Sequence, residues 1–399
     1  MAEDSPEPQE PNPFSGMPFF GDIMKMFGST GPVHWDTARQ VAQVTATGGV
    51  SEPNVDPVQR IEYSELARIA VPQVAAVTGL DSSATNTDPT TVTPGAWAQR
   101  TLDDYKPLFT ELATALGRQP STTDSATQAD TDPFASMFAG LTNMIAPMTM
   151  GMTIGSMVGL LAKKSLGQYD LPLPRPHTTG LMVVPTNVDS FASEWELPVR
   201  DVRMFALVHE LVIHHLYSVP HVREAVLDLV RRHVGAFRPD PQAIADKLTS
   251  LDVGDPSDMM QSLQNVLGDP ELLLGAVRSP EQDLLQPRID AMLALVIGWT
   301  DHMTDAVGAR ILGNPVRIAE ALRRRRIESG DETAFVERLL GLQLNRHQVE
   351  RGRSFVRGVI ERAGEDGLAP LYTDARHLPT PAEIDAPGLW LARLEISGD

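Results

Sequence analysis

His209-Glu210-Leu211-Val212-Ile213-His214-His215 is the stretch that most strongly constrains the fold, because it nearly matches the zinc-binding pattern HExxH. In that pattern two histidines four residues apart share one helix face and bind one zinc ion, while the glutamate activates a bound water. Here Ile213 stands where the second histidine belongs, and imidazoles follow at 214 and 215. A five-residue step turns about 140° around a regular helix. His209 and His214 can therefore share one ion only across a π-bulge.

The sequence around this motif predicts a helix over residues 201–217 with one apolar stripe. His209 and Glu210 adjoin that stripe, so both side chains are expected to be half-buried. A glutamate beside a histidine acts as a general base only where a metal-bound water is present to deprotonate. Glu210 is therefore the candidate base of an active enzyme, and otherwise one half of an ordinary buried polar pair.

A downstream stretch, residues 297–305 (IGWTDHMTD), has the spacing of the second half of such a site. Zinc peptidases of the thermolysin type take a third ligand, a glutamate, from a helix, and an aspartate four residues later orients a ligand histidine. In this chain position 297 is isoleucine, and Asp301 stands four residues later. His302 and Asp305 complete a polar group on the same predicted helix.

The composition restricts the possible functions. The 399 residues carry a formal net charge of −19, which disfavours binding to nucleic acids or anionic membranes. The sequence has no cysteine, so any metal must be held by His, Asp or Glu. The four arginines 323–326 oppose the acidic trend and are expected to form a solvated, salt-bridged helix face. The N-terminus lacks a basic and then apolar signal segment, so a cytoplasmic protein is expected.

Composition and periodicity divide the chain into four predicted regions. Most of the chain has helical periodicity, and the best strand candidate is the stretch 180–185 (GLMVVP). The fold is therefore predicted to be mainly α with a minimal β-sheet. The regions are a disordered acidic, proline-rich tail (1–30), an N-terminal helical region (31–118), a polar linker (119–133) and the region with both motifs (134–399).

Residues 133–162 form an uncharged run in which glycines recur at 151, 155 and 159. Thirty uncharged residues with small residues at every fourth position are typical of a membrane helix. However, Pro147 and several hydroxyl side chains interrupt the apolar surface. We therefore expect a buried helical hairpin without stable membrane insertion, and a membrane anchor is the alternative.

The chain also resembles the zincin-like metallopeptidase type 2 family, an actinobacterial group of inferred zinc-dependent hydrolases that carries the label "coenzyme biosynthesis-associated". The similarity runs in order through nearly all of the sequence after the N-terminal tail. The matching stretches are Gly31-Pro-Val-His-Trp35-Asp, Trp97, Leu171-Pro-Leu-Pro174, Val199-Arg-Asp-Val-Arg203, Val219-Pro220, Gly298-Trp-Thr-Asp-His302, Asp305-Ala-Val-Gly308, Arg338-Leu-Leu-Gly-Leu342, Gly352-Arg-Ser-Phe355, Leu378-Pro-Thr-Pro and Trp390-Leu-Ala-Arg.

The resemblance implies a zincin-like helical scaffold and assigns roles to individual positions. The family's pattern is HExxH followed by EG[YW]xDH, so His209 matches the first zinc ligand, Glu210 the base and Asp301 a supporting carboxylate, with Asp305 nearby. Ile213 and Ile297 fall at the positions of the second and third ligands. Since hydrocarbon replaces two of three ligands, the favoured interpretation is a pseudoenzyme without zinc that binds an unidentified protein or peptide.

The alternative is an active zinc metallohydrolase with a rearranged ligand set. His214 and His302 are the residues that could replace the two lost ligands. Zinc would then polarise the substrate carbonyl, and Glu210 would transfer the proton.

Overall fold

The computed structural model describes residues 31–80, 87–117, 133–175, 180–238, 279–328 and 331–397, without the side chains of 133–145, 331–333 and 397. The predicted tail (1–30) and nearly all of the predicted linker (119–133) lie outside these residues. So do two helices that the sequence predicts at 241–250 and 256–266.

The described chain is mainly α-helical, as the sequence predicts. Proline stands at the start of most of these helices, where its missing N–H leaves no hydrogen bond unmade. Two 3₁₀ helices, Glu365–Tyr372 and Ala375–His377, lie near the C-terminal end. The α-helices are α1 (Trp35–Thr47), α2 (Pro57–Thr78), α3 (Pro94–Asp104), α4 (Lys106–Leu116), α5 (Pro133–Ala162), α6 (Pro185–Glu194), α7 (Val199–Ser218), α8 (Pro220–Gly235), α9 (Pro280–Ile311), α10 (Pro315–Ile327), α11 (Asp331–Leu339), α12 (Arg346–Ala363), α13 (Pro381–Asp385) and α14 (Pro387–Ser397).

A two-stranded parallel sheet lies beside the helices. Strand β2 (Leu181–Val183) lies within the predicted strand region and is buried along its whole length. Its partner β1 (Pro89–Thr91) was not predicted from the sequence. Three residues are too few to show the alternation of apolar and polar side chains that predicts a strand. The backbone N–H of Val92 extends the pairing by donating to the carbonyl of Val183 at 2.9 Å.

The uncharged run forms one continuous helix, α5, so the prediction of a hairpin is wrong. The helix continues past Pro147, and its three glycines lie directly against helix α1. A Cβ atom at Gly155 would lie 2.4 Å from the carbonyl oxygen of Ala38, so the two backbones can approach this closely only without side chains. Within the described residues no helix has the length and apolar character required to cross a bilayer.

Helix α9 carries the second motif and crosses α12 at very short range. A Cβ atom at Gly298 would lie 2.2 Å from the backbone of Gly352. This contact sets the rotation of α9, so that Ile297 and Thr300 line a cleft against α7. Helix α9 begins at Pro280, where Ser279 and Gln282 form a capping box.

Helix α7 carries the first motif and is anchored by Arg203. The guanidinium pairs with Glu62 of α2 and with Asp189 of α6, at 2.6 Å from Asp189 Oδ2. Charge-assisted pairs of this kind are directional, so they orient α7 as well as stabilise it. The helix is α-helical from Val199 to Ser218.

Candidate functional site

A cleft of about 530 Å³ lies where the two sequence motifs meet. Helices α5, α6, α7, α9, α10 and α11, the segment 163–172, Glu328 and Leu344 line it. A volume of this size is typical of clefts that bind small molecules or parts of peptides. From the motifs, His209, Glu210, Ile213 and Ile297 line the cleft.

Both isoleucines are buried in the wall of the cleft. Ile213 lies one helical turn after His209 on α7, and Ile297 faces the same space from α9. Their exposed fractions are 2% and 3%. The two positions that the resemblance matches to zinc ligands therefore form a hydrocarbon surface, which offers no lone pair to a metal ion.

A guanidinium group lies between the remaining candidates. Nη2 of Arg326 is 3.2 Å from Nε2 of His209, and Nη1 of Arg326 is 3.1 Å and 3.3 Å from the two carboxylate oxygens of Asp301. Because a guanidinium only donates hydrogen bonds, Nε2 of His209 must be the acceptor. The lone pair that would bind zinc is thus directed at Arg326.

Asp301 is an ionised aspartate within this arrangement. Burial opposes its ionisation, but the charges of Arg326 and Arg323 more than offset that effect and hold the pKa of Asp301 below its usual value. Arg323 Nε lies 3.5 Å from Oδ2 of Asp301, and Arg323 also pairs with Asp305. Asp301 and Asp305 therefore bind arginines of α10.

The four-arginine run is salt-bridged as predicted, and Arg324 is exposed beside Glu328, but the prediction of a solvated face is wrong for the other three arginines. The side chains of Arg323, Arg325 and Arg326 are 15%, 24% and 17% exposed. Arg325 pairs with Asp170 at 2.8 Å and donates to the carbonyl of Lys164. The run lies along the cleft because acidic partners from distant segments face it, which a local charge pattern does not reveal.

Glu210 is wholly buried rather than half-buried, with an exposed fraction of 3%. Its Oε2 accepts the backbone N–H of Tyr169 at 2.9 Å, and its Oε1 lies 3.5 Å from Nδ1 of His209. Gly167 lies directly on the carboxylate, where a Cβ atom would be 2.4 Å from Cδ of Glu210. Burial raises the pKa of Glu210, and His209 and the Tyr169 N–H oppose that rise.

The two substitute ligands that the sequence suggests have other contacts. His214 is buried, with Nδ1 2.8 Å from the hydroxyl of Tyr169. No π-bulge occurs in α7, so His214 does not turn towards His209. His302 lies with Nε2 3.0 Å from Oε2 of Glu365. Neither histidine is among the residues that line the cleft.

The donor atoms of this site do not fit a zinc ion. A protein zinc site needs at least three His, Cys, Asp or Glu ligands. No group of three such residues with suitable geometry occurs in the part of the chain that the structure describes. His209 and Asp301 remain near one another, and the cation between them is Arg326.

Comparison with known proteins agrees with the fold and with the motifs. The chain is similar in structure to a "putative hydrolase with a novel fold" from Chloroflexus aurantiacus, with a TM-score of 0.63 and 21% sequence identity. The superposition covers 91% of this chain and 99% of the other. At this identity the likeness shows a common fold. Among curated proteins none matches the chain.

The family follows from the sequence match. The model of the family described as zincin-like metallopeptidase matches residues 33–391, which is most of the chain. This protein therefore belongs to the zincin-like metallopeptidase family, as the resemblance in its motifs implies. Zincins usually bind zinc, and isoleucine stands at 213 and 297, the two positions that the resemblance matches to zinc ligands.

Several residues of the site carry no recognisable sequence signal. Arg326 lies 117 positions from His209 in the chain, and nothing in the local pattern links the two. Tyr169 binds Glu210 through its backbone N–H. Every non-proline residue has this group, so the identity of the side chain gives no signal. The neighbouring Gly167 could be singled out only with knowledge that a carboxylate packs against it.

Proposed function

We propose that this protein is a catalytically inactive member of its family that acts by binding a ligand, a peptide or a protein segment, in the cleft along α7. The observation that carries the proposal is the position of Arg326, whose guanidinium hydrogen-bonds both His209 and Asp301. Two further observations support it independently: both isoleucines are buried, and the buried carboxylate of Glu210 accepts the backbone N–H of Tyr169.

An arginine at this position supplies charge but no hydrolytic chemistry. A metal ion lowers the pKa of a bound water and so produces a nucleophile near neutral pH. A guanidinium has no open coordination position, stays protonated, and offers only N–H donors. Arg326 can therefore orient a carbonyl or carboxylate of a ligand without generating hydroxide. This leaves binding as the function that the residues can perform.

Glu210 is likewise poorly placed for proton transfer. A general base must reach the proton it removes, directly or through one water. One oxygen of Glu210 accepts the Tyr169 N–H, and the other faces His209. Gly167 and Tyr169 cover the carboxylate, so it serves to attach the segment 165–170 to α7.

Metal analysis together with an activity assay tests the proposal. Full-length protein purified without chelators should contain well under one zinc per chain and should not cleave a mixed fluorogenic peptide library. The matched control is His209→Ala, which should change neither result. Stoichiometric zinc in the wild type that is lost in His209→Ala, together with peptide cleavage, would establish the alternative of an active enzyme.

A further inference from the structure

Two buried polar residues line the same cleft without taking part in the arrangement around Arg326. Thr300 on α9 is 1% exposed, and Glu337 on α11 is 6% exposed. The hydroxyl oxygen of Thr300 has no hydrogen-bond partner within the described residues. Buried polar groups are normally satisfied, so an unsatisfied one that lines a cleft indicates a position for a ligand atom.

Glu337 has an incomplete set of partners. Its carboxylate accepts the backbone N–H of Leu344, and among the described residues it forms no salt bridge. Burial raises its pKa to about 7, and the Leu344 N–H and the charge of Arg338 only partly oppose the rise. A buried carboxylate without a salt bridge is costly, and a cationic ligand reduces that cost.

Apolar residues supply much of the remaining lining of the cleft. Among the charged residues of the lining, Arg325 pairs with Asp170 and Arg326 with Asp301, while Lys163 and Lys164 lie on the segment that follows α5. A ligand here therefore needs a compact hydrocarbon body as well as a cationic group. The apolar residues that line the cleft include Leu171, Pro172, Ile213, Val296, Ile297 and Leu344.

We infer that the cleft binds a primary ammonium group carried on a compact apolar body, with the Glu337 carboxylate and the Thr300 hydroxyl as its acceptors. An ammonium has three donors and a full positive charge, which match one carboxylate and one hydroxyl oxygen. An N-terminal apolar residue of a peptide, or a lysine beside apolar residues, has this chemistry. The inference rests on the proposed function in that it names the ligand class of the same cleft.

Three probes with one carbon skeleton test the inference: 3-methylbutylamine, 3-methylbutan-1-ol and 3-methylbutanoate. Each is titrated into full-length protein at pH 7.5, with binding followed by ligand-observed NMR. The amine should bind about tenfold more tightly than the alcohol, the usual size of a charge-assisted hydrogen bond, and the carboxylate most weakly. Equal affinities for all three probes, or no saturable binding, would overturn the inference.

Variants separate the two acceptors from the rest of the protein. Glu337→Gln keeps the shape of the side chain and should abolish the preference for the amine, while Thr300→Val should reduce amine affinity by a smaller factor. The matched control is Glu361→Gln, an exposed carboxylate on α12, which should bind all probes like the wild type. An amine preference that survives Glu337→Gln would contradict the inference even if Thr300→Val fails to fold.

The two proposals fail in different ways. Zinc and peptide cleavage in the wild type would disprove the inactive function and leave the ammonium preference intact. If the wild type shows no preference for the amine, contains no zinc and cleaves no peptide, only the inference of an ammonium pocket is disproved.

Discussion

Arg326 and His209 form a hydrogen bond at 3.2 Å in which the guanidinium donates to Nε2 of the imidazole. The same guanidinium pairs with Asp301, so a fixed side-chain cation lies between the first presumed ligand and its supporting carboxylate. The guanidinium thus supplies at this position a positive charge that is covalently attached to the chain. The carboxylate remains ionised in a buried position because Arg326 and Arg323 supply positive charge.

Removal of Arg326 should destabilise the protein substantially. Arg326→Met leaves Asp301 buried with one arginine partner, and loss of a partner from a buried ion pair costs about 3 kcal/mol. The control Arg324→Met removes an exposed arginine that pairs with Glu328, which should cost less than about 1 kcal/mol. Urea unfolding at pH 7 measures both changes. Equal effects of the two substitutions would show that the buried pair is unimportant.

Restoration of a zinc site should require removal of Arg326 as well as replacement of both isoleucines. The double change Ile213→His with Ile297→Glu adds two ligands, but the guanidinium still occupies the lone pair of His209 and repels a divalent cation. The triple variant with Arg326→Met should bind zinc about 10–100-fold more tightly than the double variant, judged by the effect of groups around zinc ligands. Competition with a chromogenic chelator measures this.

His209→Ala in the triple variant is the control and should abolish the added zinc affinity. Equal zinc affinity of the double and triple variants would mean that Arg326 does not obstruct the site. In that case the guanidinium would have no effect on zinc binding, and the two isoleucines alone would explain the low zinc affinity of the wild type.

Glu337 should make stability depend on pH. Its pKa is raised to about 7 in the folded protein, so the folded state binds an extra proton between the ordinary pKa of glutamate and pH 7. The wild type therefore keeps its full stability relative to Glu337→Gln at low pH and loses stability relative to that variant as the pH rises through 7. The variant should be more stable than the wild type by up to about 3 kcal/mol at pH 8. The unfolding free energy of each protein is measured at pH 5 and at pH 8. If its change between the two pH values is the same for the wild type and for Glu337→Gln, the prediction is wrong.

Gly167→Ala should disturb the contact over Glu210. The added methyl group would lie 2.4 Å from the carboxylate carbon, so the segment must move and weaken the hydrogen bond from Tyr169. Overpacking of this kind costs about 1–3 kcal/mol. The control Gly313→Ala has no atom within 4 Å of the added carbon and should change stability little. Thermal unfolding of the two variants gives the comparison, and equal melting temperatures would exclude the predicted clash.

The helical class and the altered metal motif could be predicted from sequence because both depend on local features. Apolar residues three and four positions apart predict α7, and residue identity alone shows that positions 213 and 297 have no donor atom. The hairpin at 133–162 was predicted wrongly because Pro147 resembled a break. The helix is continuous there and packs against α1, which lies far earlier in the chain.

The amino-acid sequence by itself determined that this is a mainly helical member of its family in which two presumed zinc-ligand positions carry hydrocarbon. Tertiary structure alone decided that Arg326 lies against His209 and Asp301, and that Tyr169 covers Glu210. The reason is physical: helical periodicity and side-chain chemistry act within a few residues, whereas these contacts depend on how separately formed elements pack. Arg326 looks like any surface arginine in the sequence, and the crossing of α10 over the cleft makes it a buried partner of Asp301.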